Sequence, residues 1–315
     1  MKKLVAGLLT AVALLAMSAC GADQKNTAQT SSSTKESAEV SSGASEQVYT
    51  DPKEMKESYD VVIIGAGGAG MAAAIEAKDA GLNPVILEKM PVAGGNTSKS
   101  SSGMNASETK FQKEEGIKDS NDAFYEETLK GGGGTNDKEM LRYFVDHSAD
   151  AVDWLDQNGI KLDNLTITGG MSEKRTHRPS DGSAIGGYLV EGLLNNVHER
   201  EIPIFVNADV TDIKKNGETV NEVTVHVQGE EPKEVTGKAI VVTTGGFGAS
   251  KEFIEKYRPD LADYITTNQE GSTGNGITMI EKLGGQTVDM DKIQIHPTVQ
   301  QDEGVLIGEV VRGEG

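Results

Sequence analysis

Three glycines, Gly65, Gly67 and Gly70, stand between a β-branched apolar run, Val61-Val62-Ile63-Ile64, and an alanine-rich segment, Met71 to Ala77. An apolar run of this kind predicts a buried parallel strand, and the alanine-rich segment predicts a helix. Between such elements Gly65 permits a tight turn, Gly67 lets backbone approach a pyrophosphate, and Gly70 lets the helix pack on the strand. The helix N-terminus adds amide donors and a dipole that favours phosphate. Gly81 closes the helix, and Pro84-Val85-Ile86-Leu87 predicts a second strand ending at Glu88-Lys89. Glu88 stands where an acid binds ribose hydroxyls, and an acid there disfavours a ribose phosphate. A lone G-x-G-x-x-G fits many glycine-rich turns. Strand, helix, second strand and terminal acid in register point to a dinucleotide, and by themselves leave FAD and NAD both open.

The elements that must hold this turn occupy the later part of a 315-residue chain with a net charge of −19, 36% hydrophobic and 4% aromatic residues. The acidic balance argues against nucleic acid and against broad contact with anionic lipid. Cys20 is the one cysteine, which excludes disulfides, Cys-based zinc sites and Cys-ligated iron–sulfur clusters within the chain; no Cys-x-x-Cys-His for c-type haem is present, and no metal site is expected. Lys2 and Lys3 precede an apolar stretch, Leu4 to Ala16, too short for an ordinary transmembrane helix. Met17-Ser18-Ala19-Cys20 resembles a bacterial lipoprotein signal. That resemblance implies removal of residues 1–19, lipidation of Cys20 and anchoring at the extracytoplasmic face of the cell membrane. Residues 20–57, rich in Ser, Thr, Ala, Glu, Lys and Gln, are expected to be a disordered linker.

Further along, Pro203-Ile204-Phe205-Val206, Val223 to Val227 and Ile240 to Thr244 predict strands, and Gly245-Gly246 could pass close to a dinucleotide. Asp137 to Asn158 predicts one amphipathic helix with Leu141, Phe144, Val145, Val152 and Leu155 inward, stopped by Gly159. Trp154 is assigned to the core. The glycines at Gly131 to Gly134 lack a following Lys-Ser/Thr and predict a flexible loop.

Gly94-Gly95-Asn96-Thr97, Ser102-Gly103-Met104-Asn105, Thr176-His177-Arg178-Pro179, Thr243-Thr244-Gly245-Gly246-Phe247, Gln294-Ile295-His296-Pro297-Thr298 and Gly308-Glu309-Val310-Val311-Arg312-Gly313 follow in this order. Together with the glycine turn they resemble the flavoprotein family of fumarate reductases and succinate dehydrogenases, nearest its soluble flavocytochrome c fumarate reductase and urocanate reductase branch. The resemblance covers essentially everything from Asp60 onward. It implies an α/β fold: a Rossmann-type FAD-binding domain, a parallel sheet with helices over 58–248, and the beginning of an α+β cap domain over 249–315. It also implies FAD held by Gly65, Gly67, Ala69, Gly70, Glu88, Lys89, Gly95, Asn96, Thr97, Ser102, Gly103, Val210 and Gly245. No His follows closely after Gly95-Asn96, so the FAD is expected to be noncovalent.

The implied reaction is reduction of the C=C bond of a small unsaturated carboxylate, fumarate to succinate first. Such chemistry needs hydride from a reduced flavin, donors on the carboxylate and an acid for the other carbon. By the resemblance His296 and Gly103 contact substrate, and Glu309 and Arg312 relay a proton to a catalytic arginine. The other histidines, His147, His177, His198 and His226, are assigned structural roles. Two departures bear on the substrate. Gly308 stands where the fumarate reductases carry a carboxylate-binding Thr, and His296 is retained where urocanate reductases replace it. Asn275 also stands where relatives often have Asp. The catalytic arginine would lie beyond Gly315, so the chain is expected to be a fragment or truncated product. Electrons are expected from an external membrane or extracytoplasmic donor. The rival readings are reduction of urocanate, another acrylate or a 3-oxosteroid, oxidation of succinate, and a flavin-binding lipoprotein without catalysis.

Overall fold

In the computed structural model, which describes residues 48–302 and 304, the apolar run of the glycine motif is the centre of a six-stranded sheet. In chain order the elements are β1 (Ser58–Ile64), α1 (Gly68–Asp79), β2 (Pro84–Leu87), β3 (Met104–Asn105), α2 (Lys110–Glu114), α3 (Asn121–Gly131), α4 (Lys138–Asp146), α5 (Ser148–Gln157), β4 (Asn164–Thr166), β5 (Thr176–Arg178), α6 (Ile185–Glu199), β6 (Ile204–Phe205), β7 (Ala208–Asn216), β8 (Thr219–Val227), β9 (Lys233–Val242), α7 (Lys251–Tyr257) and α8 (Asn275–Lys282). The large sheet has the order β6-β2-β1-β9-β8-β7, and β3-β5-β4 form a small antiparallel sheet. The fold is α/β.

β1 pairs in parallel with β2 on one side and β9 on the other, and β2 pairs in parallel with β6. Parallel strands buried on both faces carry apolar residues at consecutive positions. Accordingly Val61 and Ile63 enter a core with α1 and α6, and Val62 and Ile64 enter a second core with β7, β8 and β9. The sheet departs from the all-parallel expectation at one end, where β8 and β7 are antiparallel hairpin strands. β7 buries Ala208, Val210 and Ile213 among polar residues, with register shifts at Val210/Asp212 and Lys214/Lys215, so no continuous apolar run marks it.

α1 ends as its glycine predicts. Gly81 has φ +82, Gly81 N–H reaches Lys78 O and Leu82 N–H reaches Ala77 O, the paired bonds of a left-handed helix stop. The helix expected over Asp137 to Asn158 is two helices, α4 and α5, broken at His147. Buried Ser148 accepts a hydrogen bond from Ser107 N–H, a contact 41 residues away that turns the chain. Leu141, Val145, Val152 and Leu155 point inward as expected, whereas Phe144 is 52% exposed. With the helix broken, α4 buries its Leu141/Val145 pair and leaves Phe144 on the flank, edge-on to Phe124. Gly159 stops α5 with φ +76, as predicted.

The chain is ordered against the body earlier than a linker running to residue 57 would allow. Thr50, Tyr49 and Glu57 all hydrogen-bond to the body, to Ile204, Ala93 and Thr236. Among the described residues no helix is long and apolar enough to cross a membrane. Cys20, Glu309 and Arg312 lie outside the described residues, as does the proposed signal segment.

Candidate functional site

The C-terminal ends of β1, β2 and β9 open on a cavity of about 390 Å³. Parallel neighbours on both sides of β1 leave a crevice there, the usual ligand position in open α/β sheets. Of the residues assigned to the cofactor, Gly65, Gly67, Ala69, Glu88, Lys89, Gly95, Asn96, Thr97, Val210 and Gly245 line it.

Each glycine of the turn has a separate reason. Gly65 has φ +107, and a Cβ there would sit 2.6 Å from Thr243 O. At Gly70 a Cβ would lie 1.9 Å from Gly65 O, so α1 could not pack on the turn; Gly70 supports the cavity without lining it. Gly67 has ordinary backbone dihedrals, φ −76, and a Cβ there would find no protein atom closer than 3.8 Å. Its lack of a side chain leaves room in the cavity and relieves no clash. Gly67 caps α1, whose first amides have no intrahelical acceptor. Gly68 N–H is taken by Thr97 Oγ1 at 3.0 Å, and the following amides of that turn remain for an anion.

Glu88 is buried, and its carboxylate does more than the sequence spacing implies. Oε2 accepts from Ala66 N–H at 2.7 Å, and Oε1 accepts from Met90 N–H at 2.8 Å. The side chain thereby ties the glycine turn to the end of β2 across 22 residues. Each oxygen keeps a second lone pair for a ribose hydroxyl.

The opposite wall comes from residues distant in sequence. Thr243 Oγ1 sits 2.9 Å from Ile64 O and 3.0 Å from Gly65 O, closing the turn onto β9. A second helix N-terminus, that of α8, brings Asn275 and Met279 to the cavity. α8 approaches β9 because residue 276 is glycine: a Cβ there would lie 2.0 Å from Thr244 Oγ1. Lys89 Nζ donates to Thr273 Oγ1 at 2.7 Å, and Thr273 Oγ1 donates to Asn275 Oδ1 at 3.0 Å. Burial holds the Lys89 ammonium below its usual pKa, opposed by nearby Asp209 and Glu88. Asp209, Ser272 and Met279 line the cavity and carry no motif that marks them, whereas Thr243, Thr244 and Asn275 stand in segments that the family resemblance already singled out.

His296 lies elsewhere, in a second cavity lined also by Gly248, Tyr264, Ile265, Asn268 and Ile295. The segment 266–269 separates the two spaces. Asn268 Oδ1 accepts from Asn96 Nδ2 at 2.6 Å, and Gln269 N–H donates to Asn96 Oδ1 at 2.7 Å, so Asn96 spans the wall between them. His296 Nδ1 is 2.8 Å from Thr298 O. Ser102 and Gly103 line neither cavity. Gly103 is glycine because a Cβ would lie 2.4 Å from His177 O, where the chain enters β3 beside β5.

His177 is fully buried, with Nε2 2.8 Å from Thr109 Oγ1 and Nδ1 2.7 Å from Arg175 O, a structural cross-tie as assigned. His147 pairs with Asp150 at the surface. Trp154 packs against the α1–α6 core and donates its indole N–H to Glu76. Gly131 to Gly134 are exposed and border neither cavity.

The geometry fits a dinucleotide: an open glycine at the phosphate position, helix amides behind it, and a buried carboxylate with free lone pairs at the ribose position. A family model described as FAD binding domain matches residues 60–315. The chain belongs to this FAD-binding family. Its cofactor is FAD.

Over 259 residues it is 52% identical to the NADH:fumarate oxidoreductase of Klebsiella pneumoniae (strain 342), covering 82% of this chain and 28% of that relative. Over 279 residues it is 37% identical to the fumarate reductase (cytochrome) of Shewanella frigidimarina, covering 88% of this chain and 49% of that protein. The solved open conformation of a flavocytochrome c3 fumarate reductase superposes with a TM-score of 0.79 at 37% identity, over 84% of this chain and 47% of that one. The chain thus spans about half, or less, of the length of these relatives.

Proposed function

We propose that this chain is the FAD-holding part of an oxidoreductase that reduces the C=C bond of a small unsaturated carboxylate, with fumarate the first candidate. The observation that carries the reading is the glycine cavity with its Glu88 anchor, set beside the His296 cavity and divided from it only by the Asn96–Asn268 wall. The likeness to relatives named for fumarate reduction supports the same reading.

Bound in the first cavity, FAD would supply hydride to the substrate carbon. Gly67 and the α1 amides would hold the pyrophosphate, and Glu88 would accept from ribose hydroxyls. His296 binds a substrate carboxylate. Its Nδ1 is held at the Thr298 backbone, 2.8 Å from the carbonyl oxygen and 3.4 Å from the amide nitrogen. Nε2, where it carries a hydrogen, can donate to a carboxylate. A charge-assisted contact of that kind is roughly twice as strong as a neutral one. Glu309 and Arg312 relay the proton in this reading. Lipidation at Cys20, a location at the extracytoplasmic membrane face and an external electron donor belong to the same proposal.

The test is anaerobic. The full chain, loaded with FAD, is reduced and then mixed with fumarate, urocanate or acrylate while flavin absorbance is followed. Reoxidation by fumarate supports the reading. Absence of reoxidation by every acceptor refutes an activity of this chain. Release of all flavin by mild acid without proteolysis is the outcome expected for noncovalent FAD.

A further inference from the structure

The glycine loop over 90–95 packs directly against Gly67 at the edge of the cavity. Gly94 and Gly95 both have left-handed φ, +122 and +51, conformations that glycine adopts with little preference over others. Gly94 N–H reaches Ala66 O at 2.9 Å, and Gly94 forms an isolated parallel bridge with Gly67. One residue earlier, buried Ala93 donates its N–H to the phenolic oxygen of Tyr49 at 2.8 Å, across 44 residues.

Tyr49 is itself fixed by its neighbour. Thr50 N–H donates to Ile204 O at 2.9 Å, and Ile204 N–H donates to Thr50 Oγ1 at 3.0 Å. Thr50 therefore covers the free edge of β6, an outer strand of the large sheet. The Tyr49 ring packs against the α1–α6 core; burial raises the phenol's pKa, the Ala93 N–H bond opposes that, and Glu88 adds a smaller upward push. The strap thus runs from the sheet edge to the cofactor loop and ends on a directional bond.

We propose that Tyr49 is a positioning residue for the cofactor: the Tyr49–Thr50 strap holds Ala93, and through it Gly94, against Gly67 before FAD arrives. Without the strap, the loop must be ordered during binding, and that cost is charged to affinity. The proposal rests on FAD occupying the glycine cavity.

The experiment uses the full chain and FAD itself as the probe. Apo protein is titrated with FAD by flavin fluorescence, the dissociation rate is measured by dilution into a flavin trap, and the visible circular dichroism of bound flavin is recorded. Tyr49→Phe removes one hydrogen-bond acceptor and keeps the ring. It is expected to raise the Kd by roughly two- to tenfold, the equivalent of one net hydrogen bond, with faster release and altered flavin dichroism. Val145→Ala, in the small core of Phe124, Leu141 and Val145, none of which lines the cavity, is the control. It is expected to lower the apo urea midpoint by at least as much and leave the Kd and the dichroism unchanged. A wild-type Kd and release rate in Tyr49→Phe would overturn the strap. So would a Val145→Ala variant that weakens FAD equally, since the effect would then be general destabilisation. Failure of the wild-type chain to take up FAD would overturn the cofactor assignment and the strap's role with it.

Discussion

Replacing Glu88 by Gln separates what this residue does for the fold from what it does for the ligand. In the wild-type protein two backbone N–H groups, Ala66 and Met90, end on the two carboxylate oxygens. Glutamine keeps one acceptor oxygen and places an NH2 group opposite the other N–H. One buried donor loses its partner, and two donors are brought face to face. An unsatisfied buried donor costs about 1–3 kcal/mol, and the surviving bond loses its charge assistance. The apo protein should therefore be destabilised by roughly 2–3 kcal/mol before any flavin is added. The assay is urea unfolding of flavin-free protein followed by tyrosine and tryptophan fluorescence. A lower midpoint at unchanged slope is expected. FAD affinity should fall as well, because one ribose acceptor becomes a donor. Wild-type apo stability with weakened FAD binding would refute the argument, since Glu88 would then serve the ligand alone.

Gly70→Ala should yield soluble chain with little or no bound FAD, measured by the flavin-to-protein absorbance ratio, because its Cβ would displace the helix from the turn at Gly65 O. Asp119→Asn should cost about 1.5–3 kcal/mol in urea unfolding, since it weakens two charged bonds of 2.6 and 2.7 Å to buried Arg175, which keeps its partner Glu127. Burial pushes the His177 imidazole below its ordinary value of 6.5, so the unfolded chain binds a proton that the folded one refuses. Stability should then rise with pH between the lowered folded pKa and 6.5, and be lost as pH falls through that window, measured as urea midpoints from pH 5 to 8. His177→Gln should flatten that dependence.

The sequence by itself determined the β1–α1–β2 unit and the half of the cavity that belongs to it. A β-branched run, three glycines at fixed offsets and a terminal acid each act on their immediate neighbours, so their meaning survives without knowledge of the rest. The helix stops at Gly81 and Gly159 were legible for the same reason: a left-handed φ is a property of one residue. The tertiary structure decided everything that depends on pairs far apart in the chain. Glu88 is legible as a ribose ligand, but its bonds to Ala66 and Met90 exist only once β2 lies beside β1. The break at His147 follows from Ser148 meeting Ser107, which overrides a helical pattern running through both sides. The far wall, Thr243, Thr244, Ser272, Asn275 and Met279, carries common residue types that acquire a role only when β9 and α8 close on the glycine turn. Tyr49, in a stretch whose composition predicts disorder, is ordered because a sheet edge and one amide hydrogen are waiting for it. Local conformational preference is written residue by residue, whereas a contact is written only in the fold that brings both partners together.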